Sequence, residues 1–232
     1  RTVWTGESRP VAAGGLMPPG AWREHLPRVL AAGVGLSVVG SAGPGAPLAS
    51  PEVTLDTLRL VRRPHPDLEL CLSANGLALP EYIREFYAIG LRHLTLTINA
   101  VDPAVGGRIY RSVNFGGRDR PGIEGASILL DRQRRALEAL RDYGFMVKIN
   151  TVVIPGVNDH QVGQIAQLAA YYRAKLMNCL AMIPVPGTLL GHLDPPDAVM
   201  MAEVRARADG YIKQMRHCGR CRADAVGLIG AV

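Results

Sequence analysis

The sequence predicts an α/β fold whose parallel strands form a barrel-like sheet. Five β-rich runs alternate along the chain with stretches that carry apolar residues at helical spacing, and short loops join them. Such alternation is typical of parallel strands connected by right-handed helical crossovers. In addition, three of the strands carry polar residues along one face, a pattern that favours a barrel with a lined interior over an open, doubly wound sheet.

The predicted strands and helices follow one another regularly. The strands are LSVVG (36–40), LELCLSANG (68–76), LRHLTLTINA (91–100), FMVKINTVVIPG (145–156) and LMNCLAMIPV (176–185). The helices between them cover 51–63, 81–90, 128–144 and 160–174. Gly90 and Gly144 stand where helix C-terminal caps are expected, because glycine adopts the left-handed conformation without strain.

Strand parity predicts a polar stripe, because successive side chains point to opposite faces of a strand. The residues that share the polar face are Cys71, Ser73 and Asn75, then Thr95, Thr97 and Asn99, then Lys148 and Asn150. A closed barrel normally fills its interior with aliphatic side chains. The stripe therefore predicts a lumen built around a ligand, with a polar sheet edge as the alternative. By the same parity, Cys179 faces the helices and is expected to be a buried structural thiol.

Composition and charge disfavour several classes of function. The net charge is +6, but the arginines are scattered and lysines are few, so nucleic-acid binding is not expected. The longest uncharged stretch, 29–51, holds five glycines and three prolines and cannot form a membrane helix. No stretch has the pattern of a signal peptide, and four cysteines do not make a disulfide scaffold. We therefore expect a cytoplasmic protein with reduced or ligated thiols.

The segment GSAGPGAP (40–47) is a weak nucleotide signal. It has no lysine and no G-x-G-x-x-G pattern, and Pro44 and Pro47 remove backbone donors. It nevertheless offers a glycine-lined backbone edge that a flat or extended ligand can approach closely.

The segment MRHCGRCRADAVG (215–227) places Cys218 and Cys221 two residues apart, close to His217. A disulfide is disfavoured in a reducing compartment, and a thioredoxin-type pair should open a helix rather than follow the last one. Zinc requires two further ligands, and the chain has no second Cys-x2-Cys and no His-x3-His. On the residues alone, a zinc site and part of an iron–sulfur site both stay open.

Seven stretches, in order and over nearly the whole chain, resemble the NifB family of radical S-adenosylmethionine (SAM) enzymes. They are GESRP (6–10), SVVGSAGPGAPLASPE (37–52), LCLSANGLALPE (70–81), HLTLTINAVDPAVGGRIY (93–110), VKINTVVIPGVND (147–159), MNCLAMIPVPGT (177–188) and MRHCGRCRADAVGLIG (215–230). The resemblance implies an incomplete (βα)6 radical SAM barrel over residues 1–214. It also implies a Cys-x2-Cys tail over residues 215–232 that caps the barrel mouth.

The resemblance further implies cofactors, activity and partners. In the family a Cys-x3-Cys-x2-Cys loop holds a [4Fe–4S] cluster that binds SAM and cleaves it reductively to a 5′-deoxyadenosyl radical. This cysteine triplet does not occur in the sequence, so we expect a fragment that begins after the first strand and is inactive alone. The complete protein is expected to fuse two [4Fe–4S] clusters with a SAM-derived carbide and a sulfur. Iron–sulfur donors and nitrogenase cofactor carrier or scaffold proteins are the expected partners.

The resemblance also assigns site residues. Glu7 is expected to bind the SAM amino group, because a carboxylate suits an ammonium. Further SAM contacts are expected at Gly43, Gly45, Asn75 and Asn99. Accessory iron–sulfur clusters are expected on Cys71, Cys218 and Cys221. Either asparagine could instead cap a loop, since asparagine is common at strand ends.

One departure from the family pattern keeps two alternatives open. Members of the family usually carry a cysteine just ahead of the ESRP segment, whereas this chain has Trp4 and Thr5 there. The chain could therefore belong to another radical SAM maturase with accessory clusters. It could also be a non-catalytic iron–sulfur or zinc carrier that uses Cys71, Cys218 and Cys221.

Overall fold

The computed structural model describes residues 2–4, 27–28, 38–41 and 47–215. The strands are β1 Thr2–Trp4, β2 Val38–Ser41, β3 Glu69–Ala74, β4 His93–Thr97, β5 Tyr110–Phe115, β6 Arg118–Pro121, β7 Met146–Val153 and β8 Leu176–Ala181. The α-helices are α1 Pro51–Arg62, α2 Leu79–Ile89, α3 Pro103–Ile109, α4 Gly122–Asp142, α5 Val162–Tyr171 and α6 Ala198–Asp209. Short 3₁₀ helices cover Pro47–Ala49 and Asp159–Gln161. In the part of the chain so described, no helix is long and apolar enough to cross a membrane.

The main sheet has five parallel strands in the order β2-β3-β4-β7-β8. This order follows the chain without reversal, so right-handed crossovers place every connecting helix on the same face. A doubly wound sheet would reverse direction and carry helices on both faces. The predicted α/β partial barrel is therefore confirmed over these five strands.

Helix boundaries follow local chemistry. Gly90 caps α2 in the left-handed conformation, with φ 91°, and Gly144 follows α4 with φ 72°. Both capping predictions are confirmed. The third predicted helix begins earlier than expected, because α4 starts at Gly122 rather than at residue 128.

A β-hairpin between α3 and α4 was not predicted. Strands β5 and β6 pair antiparallel, and β1 pairs with the other edge of β5. Gly116 and Gly117 form the two-residue turn with φ values of 61° and 75°, the left-handed conformation that tight hairpins require.

The core lies between the sheet and its helices. The strand side chains that enter it are Leu70, Leu72, Leu94, Leu96, Val147, Ile149 and Met177. The helices contribute, among others, Leu58, Ile83, Phe86, Leu137, Ile165 and Val204. A second, smaller cluster packs beneath the loops that follow the strands, and includes Leu77, Val105, Ile109, Val113, Ile154 and Met182. The two clusters therefore pack against the helix-facing side of the strands and around their carboxyl ends.

Candidate ligand-binding lumen

The sheet register brings the polar stripe together on the face opposite the helices. Ser73 pairs with Thr95, and Thr95 pairs with Lys148. One step nearer the carboxyl ends, Thr97 pairs with Asn150, and Asn150 pairs with Asn178. We call this surface the lumen face and define it by Cys71, Ser73, Thr95, Thr97, Lys148, Asn150 and Asn178. The predicted common orientation of the stripe is confirmed on β3, β4 and β7.

Two amides of the lumen face have unsatisfied acceptors. Asn150 is 6% exposed and Asn178 is 2% exposed. Among the residues that the structure describes, neither side-chain Oδ1 atom has a hydrogen-bond partner. A buried polar group left in this state costs about 1–3 kcal/mol. The pair therefore fits a ligand that brings N–H or O–H donors, and SAM carries such groups on its ammonium, adenine and ribose.

Asn178 was not among the predicted site residues. The sequence contained the signal, because Asn178 precedes the helix-facing Cys179 and must therefore point to the lumen. Parity alone could not predict that Asn178 lies beside Asn150, because their alignment depends on the register between β7 and β8.

Asn99 lies fully buried just after β4 and connects neighbouring segments. Its Oδ1 accepts a hydrogen bond from the Val152 backbone N–H at 2.9 Å, and its Nδ2 donates to the Tyr110 hydroxyl at 3.3 Å. Burial raises the pKa of Tyr110, so this hydroxyl stays protonated at neutral pH. The proposed SAM contact of Asn99 stays a prediction, and these two bonds are what the structure gives for its side chain.

Asn158 also holds the ends of β4 and β7 together, a role that was not predicted from the sequence. Its Nδ2 donates to the backbone carbonyls of Asn99 and Val152, both at 2.8 Å. Its Oδ1 accepts from the Ile154 N–H at 2.7 Å. Because the partners lie on two segments, Asn158 ties the end of β4 to the end of β7.

Asn75 follows β3 and makes the loop-capping contact that was its alternative role. Its Oδ1 accepts a hydrogen bond from the Leu77 N–H at 2.9 Å. From α4, the Gln133 amide donates to the carbonyls of Asn75 at 2.8 Å and Thr97 at 3.0 Å. Gly76 permits this approach, since a Cβ there would lie 2.8 Å from Gln133 Cγ. The role of Asn75 towards SAM stays a prediction.

Cys71 is half-buried on the lumen face. Its register neighbours are Gly40 on β2 and His93 on β4. A Cβ on Gly40 would lie 3.7 Å from Cys71 Cβ, an ordinary van der Waals contact. His93 Nε2 lies 3.0 Å from a carboxylate oxygen of Glu69.

Cys179 is a structural thiol, as predicted. It is 1% exposed within the helix-facing core, and its thiol donates to Gln214 Oε1 at 3.4 Å. Burial raises the pKa of Cys179 to about 11, against a smaller opposing effect of Arg205. The side chain is therefore a neutral thiol at physiological pH, buried in the helix-facing core.

The described residues do not by themselves fit an iron–sulfur cluster. Over residues 2–4, 27–28, 38–41 and 47–215, no group of three or more His, Cys, Asp or Glu side chains could hold a metal ion. Cluster ligation normally uses several cysteine thiolates. Within these ranges, Cys71 is the only cysteine on the lumen face. The other predicted site residues, Glu7, Gly43, Gly45, Cys218 and Cys221, lie outside the described residues.

The last described residues pair with the edge of β8. Met177 donates a backbone hydrogen bond to the Lys213 carbonyl at 3.0 Å, and Met215 donates to the Met177 carbonyl at 2.7 Å. The bridge between Met177 and Gln214 is parallel. The chain at Met215 therefore runs in the direction of β8, towards the carboxyl ends of the sheet.

Comparison with solved structures supports the fold. SuiB of Streptococcus suis, in a crystal structure with S-adenosylmethionine bound, superposes with a TM-score of 0.63 at 13% identity, over 87% of this chain and 44% of SuiB. The methyltransferase TsrM of Kitasatospora setae, solved with cobalamin and a [4Fe–4S] cluster, gives a TM-score of 0.53 at 15% identity, over 75% of this chain and 32% of TsrM. At these identities the likeness concerns the fold alone.

Comparison with known sequences gives the family. The FeMo cofactor biosynthesis protein NifB of Chlorobaculum tepidum is 39% identical over 226 residues, covering 97% of this chain and 53% of that protein. NifB of Azotobacter vinelandii is also 39% identical, over 97% of this chain and 45% of that protein. The chain thus spans about half the length of these curated relatives, and the predicted resemblance to NifB is confirmed. Because residues 14–169 match the radical SAM superfamily, the chain belongs to that superfamily.

Proposed function

We propose that this chain is the barrel of a NifB-type radical SAM maturase. In this proposal the complete protein fuses two [4Fe–4S] clusters with a SAM-derived carbide and a sulfur to make the nitrogenase cofactor precursor. The observation that carries it is 39% identity to NifB over 97% of the chain. The polar lumen face supports the proposal further. A barrel interior that serves only as a hydrophobic core is filled by aliphatic side chains, whereas this face carries buried amides.

The proposed chemistry comes from SAM with a [4Fe–4S] cluster, which together supply a 5′-deoxyadenosyl radical on one-electron reduction. The chain's own residues would bind and orient SAM. The acceptor oxygens of Asn150 and Asn178 suit the N–H and O–H groups of SAM. Lys148, half-buried on the same face, suits a carboxylate or another anionic group.

The remaining assignments belong to the same proposal. Glu7, Gly43 and Gly45 would contact SAM, and Cys71, Cys218 and Cys221 would bind the accessory clusters that are the substrates. Iron–sulfur donors would deliver these clusters, and nitrogenase cofactor carrier or scaffold proteins would receive the product. A reducing cytoplasm would keep the thiols ready for iron.

The test uses the product of the complete gene, reconstituted anaerobically with iron and sulfide. With SAM and a reductant, we expect 5′-deoxyadenosine, and label from the SAM methyl group in the iron–sulfur product. The Cys71→Ser variant is expected to lose the label but retain SAM cleavage. The Cys179→Ser variant is the matched control, because that thiol faces the helix core.

Two results would contradict the proposal in different ways. SAM cleavage without label in a cluster would indicate another radical SAM maturase. Zinc, or a single cluster with no SAM cleavage, would support the carrier that the sequence left as an alternative.

A further inference from the structure

We propose that Asn150 and Asn178 form an acceptor pair that binds an N–H or O–H group of SAM inside the barrel. The inference rests on the proposed function, because it takes SAM as the ligand of this lumen. It assigns the contact to two side chains on neighbouring strands, at the same register position.

The geometry of the pair favours a single shared ligand. Register partners on parallel strands lie about 4.8 Å apart and point to the same face. Asn150 and Asn178 are such partners, and both are more than nine-tenths buried. Because both side chains lie on the same face of neighbouring strands, their Oδ1 atoms can accept hydrogen bonds from donor groups of one molecule.

Arg120 Nε and Asp159 Oδ1 are also unsatisfied, but the other buried amides described near the strand ends have hydrogen-bond partners. Asn99 and Asn158 each accept a hydrogen bond from a backbone N–H, at 2.9 and 2.7 Å. Gln133 uses its amide to bind two carbonyls. The amides that serve structure are therefore hydrogen-bonded, whereas the Oδ1 atoms of Asn150 and Asn178 have no partner among the described residues and can accept a donor from a ligand.

Charge distinguishes the part of the ligand that the pair would accept. An amide oxygen carries partial negative charge and accepts hydrogen bonds, so it suits ammonium, amine or hydroxyl groups. The sulfides and thiolates of an iron–sulfur cluster are negative and offer no donor. Lys148, two residues before Asn150 on the same face, is the matching position for an anionic group. The pair is therefore assigned to SAM rather than to a cluster.

The test measures SAM affinity in the cluster-loaded product of the complete gene. Asn150→Leu and Asn178→Leu keep the size of the side chain but remove the acceptor. Each is expected to weaken SAM binding by about tenfold, the loss for one hydrogen bond near the upper end of its usual contribution. Gln167→Leu, an exposed position on α5, is the control and should bind SAM like the wild type.

Thermal unfolding of the ligand-free variants gives a second readout that does not depend on activity. Replacing a side chain whose buried Oδ1 is unsatisfied by an apolar one should leave the melting temperature unchanged or raise it. Weaker SAM binding together with undiminished stability therefore supports a ligand contact. A fall in melting temperature with unchanged SAM binding would assign the amides to structure and overturn the inference.

Competition experiments identify the half of SAM that is bound. If the pair binds the nucleoside, 5′-deoxyadenosine should compete about tenfold less well in the leucine variants, and methionine equally well. The reverse pattern would place the ammonium there. Variants that bind SAM as the wild type does would refute the inference and leave the proposed function intact. A wild-type protein that binds no SAM would instead refute the proposed function.

Discussion

Replacement of Gln133 by leucine should loosen the junction between β3 and β4. Gln133 is 2% exposed, and its Nε2 donates to the carbonyls of Asn75 at 2.8 Å and Thr97 at 3.0 Å. Leucine fills a similar volume but leaves both carbonyls without this donor. At about 1–2 kcal/mol for each carbonyl, the free energy of unfolding should fall by about 2–4 kcal/mol. For a chain of this length, that lowers the melting temperature by about 5–15 °C.

The assay is urea unfolding followed by circular dichroism, with melting curves as a second measure. Gln167→Leu is the matched control, because it makes the same chemical change at an exposed position on α5. It should alter the free energy of unfolding by less than about 0.5 kcal/mol. If Gln133→Leu also changed the free energy of unfolding by less than about 0.5 kcal/mol, the two hydrogen bonds would not stabilise the strand ends. Our reasoning on buried carbonyls would then be refuted.

Four further predictions concern neighbouring features. Asn158→Ala removes hydrogen bonds to three backbone groups and should cost about 3 kcal/mol or more in urea unfolding; a loss below about 1 kcal/mol would contradict its role. Gly76→Ala should also destabilise in urea, since φ is +91° and the added Cβ would meet Gln133 at 2.8 Å; wild-type stability would contradict this. Cys179 should resist iodoacetamide at pH 8 in the native protein and react in urea, as mass spectrometry would show; native labelling at the unfolded rate would contradict its burial. Between pH 9 and about 11 the free energy of unfolding of the wild type should fall relative to that of Cys179→Ala, because the Cys179 thiol ionises at lower pH in the unfolded chain than in the folded protein. If the free energies of unfolding of the two proteins changed equally with pH, the raised pKa of Cys179 would be contradicted.

The main sheet could be predicted from the sequence because its strands carry a strong signal with a period of two. Parity placed Cys71 and Asn150 on the lumen side and Cys179 on the helix side, and the register confirms all three. The hairpin over residues 110–121 was missed. Its strands are short and lack the alternation of apolar and polar residues, although the glycine pair at 116–117 is a hairpin signal that could have been used.

The residues that hold the rim of the lumen could not be found in the same way. Gln133 contacts carbonyls that lie 58 and 36 positions earlier in the chain, and Asn158 contacts one that lies 59 positions earlier. Such contacts arise only when helix and strands have packed. On its helix, Gln133 is a polar residue with no local sign of burial. The sequence therefore predicted where ligand groups would gather, but not which side chains fix the strand ends that carry them.

Two sets of amides near the carboxyl ends of the sheet should respond to substitution in opposite ways. Gln133 Nε2 and both amide atoms of Asn158 are hydrogen-bonded to backbone groups, so loss of either side chain should lower stability and disturb ligand binding indirectly. Asn150 and Asn178 retain unsatisfied acceptors, so their loss should weaken binding while stability holds or rises. A rigid rim around unsatisfied groups is what a preorganised site requires, because the ligand then meets acceptors already in position. The sign of the change in melting temperature therefore separates the residues that build the site from those that bind within it.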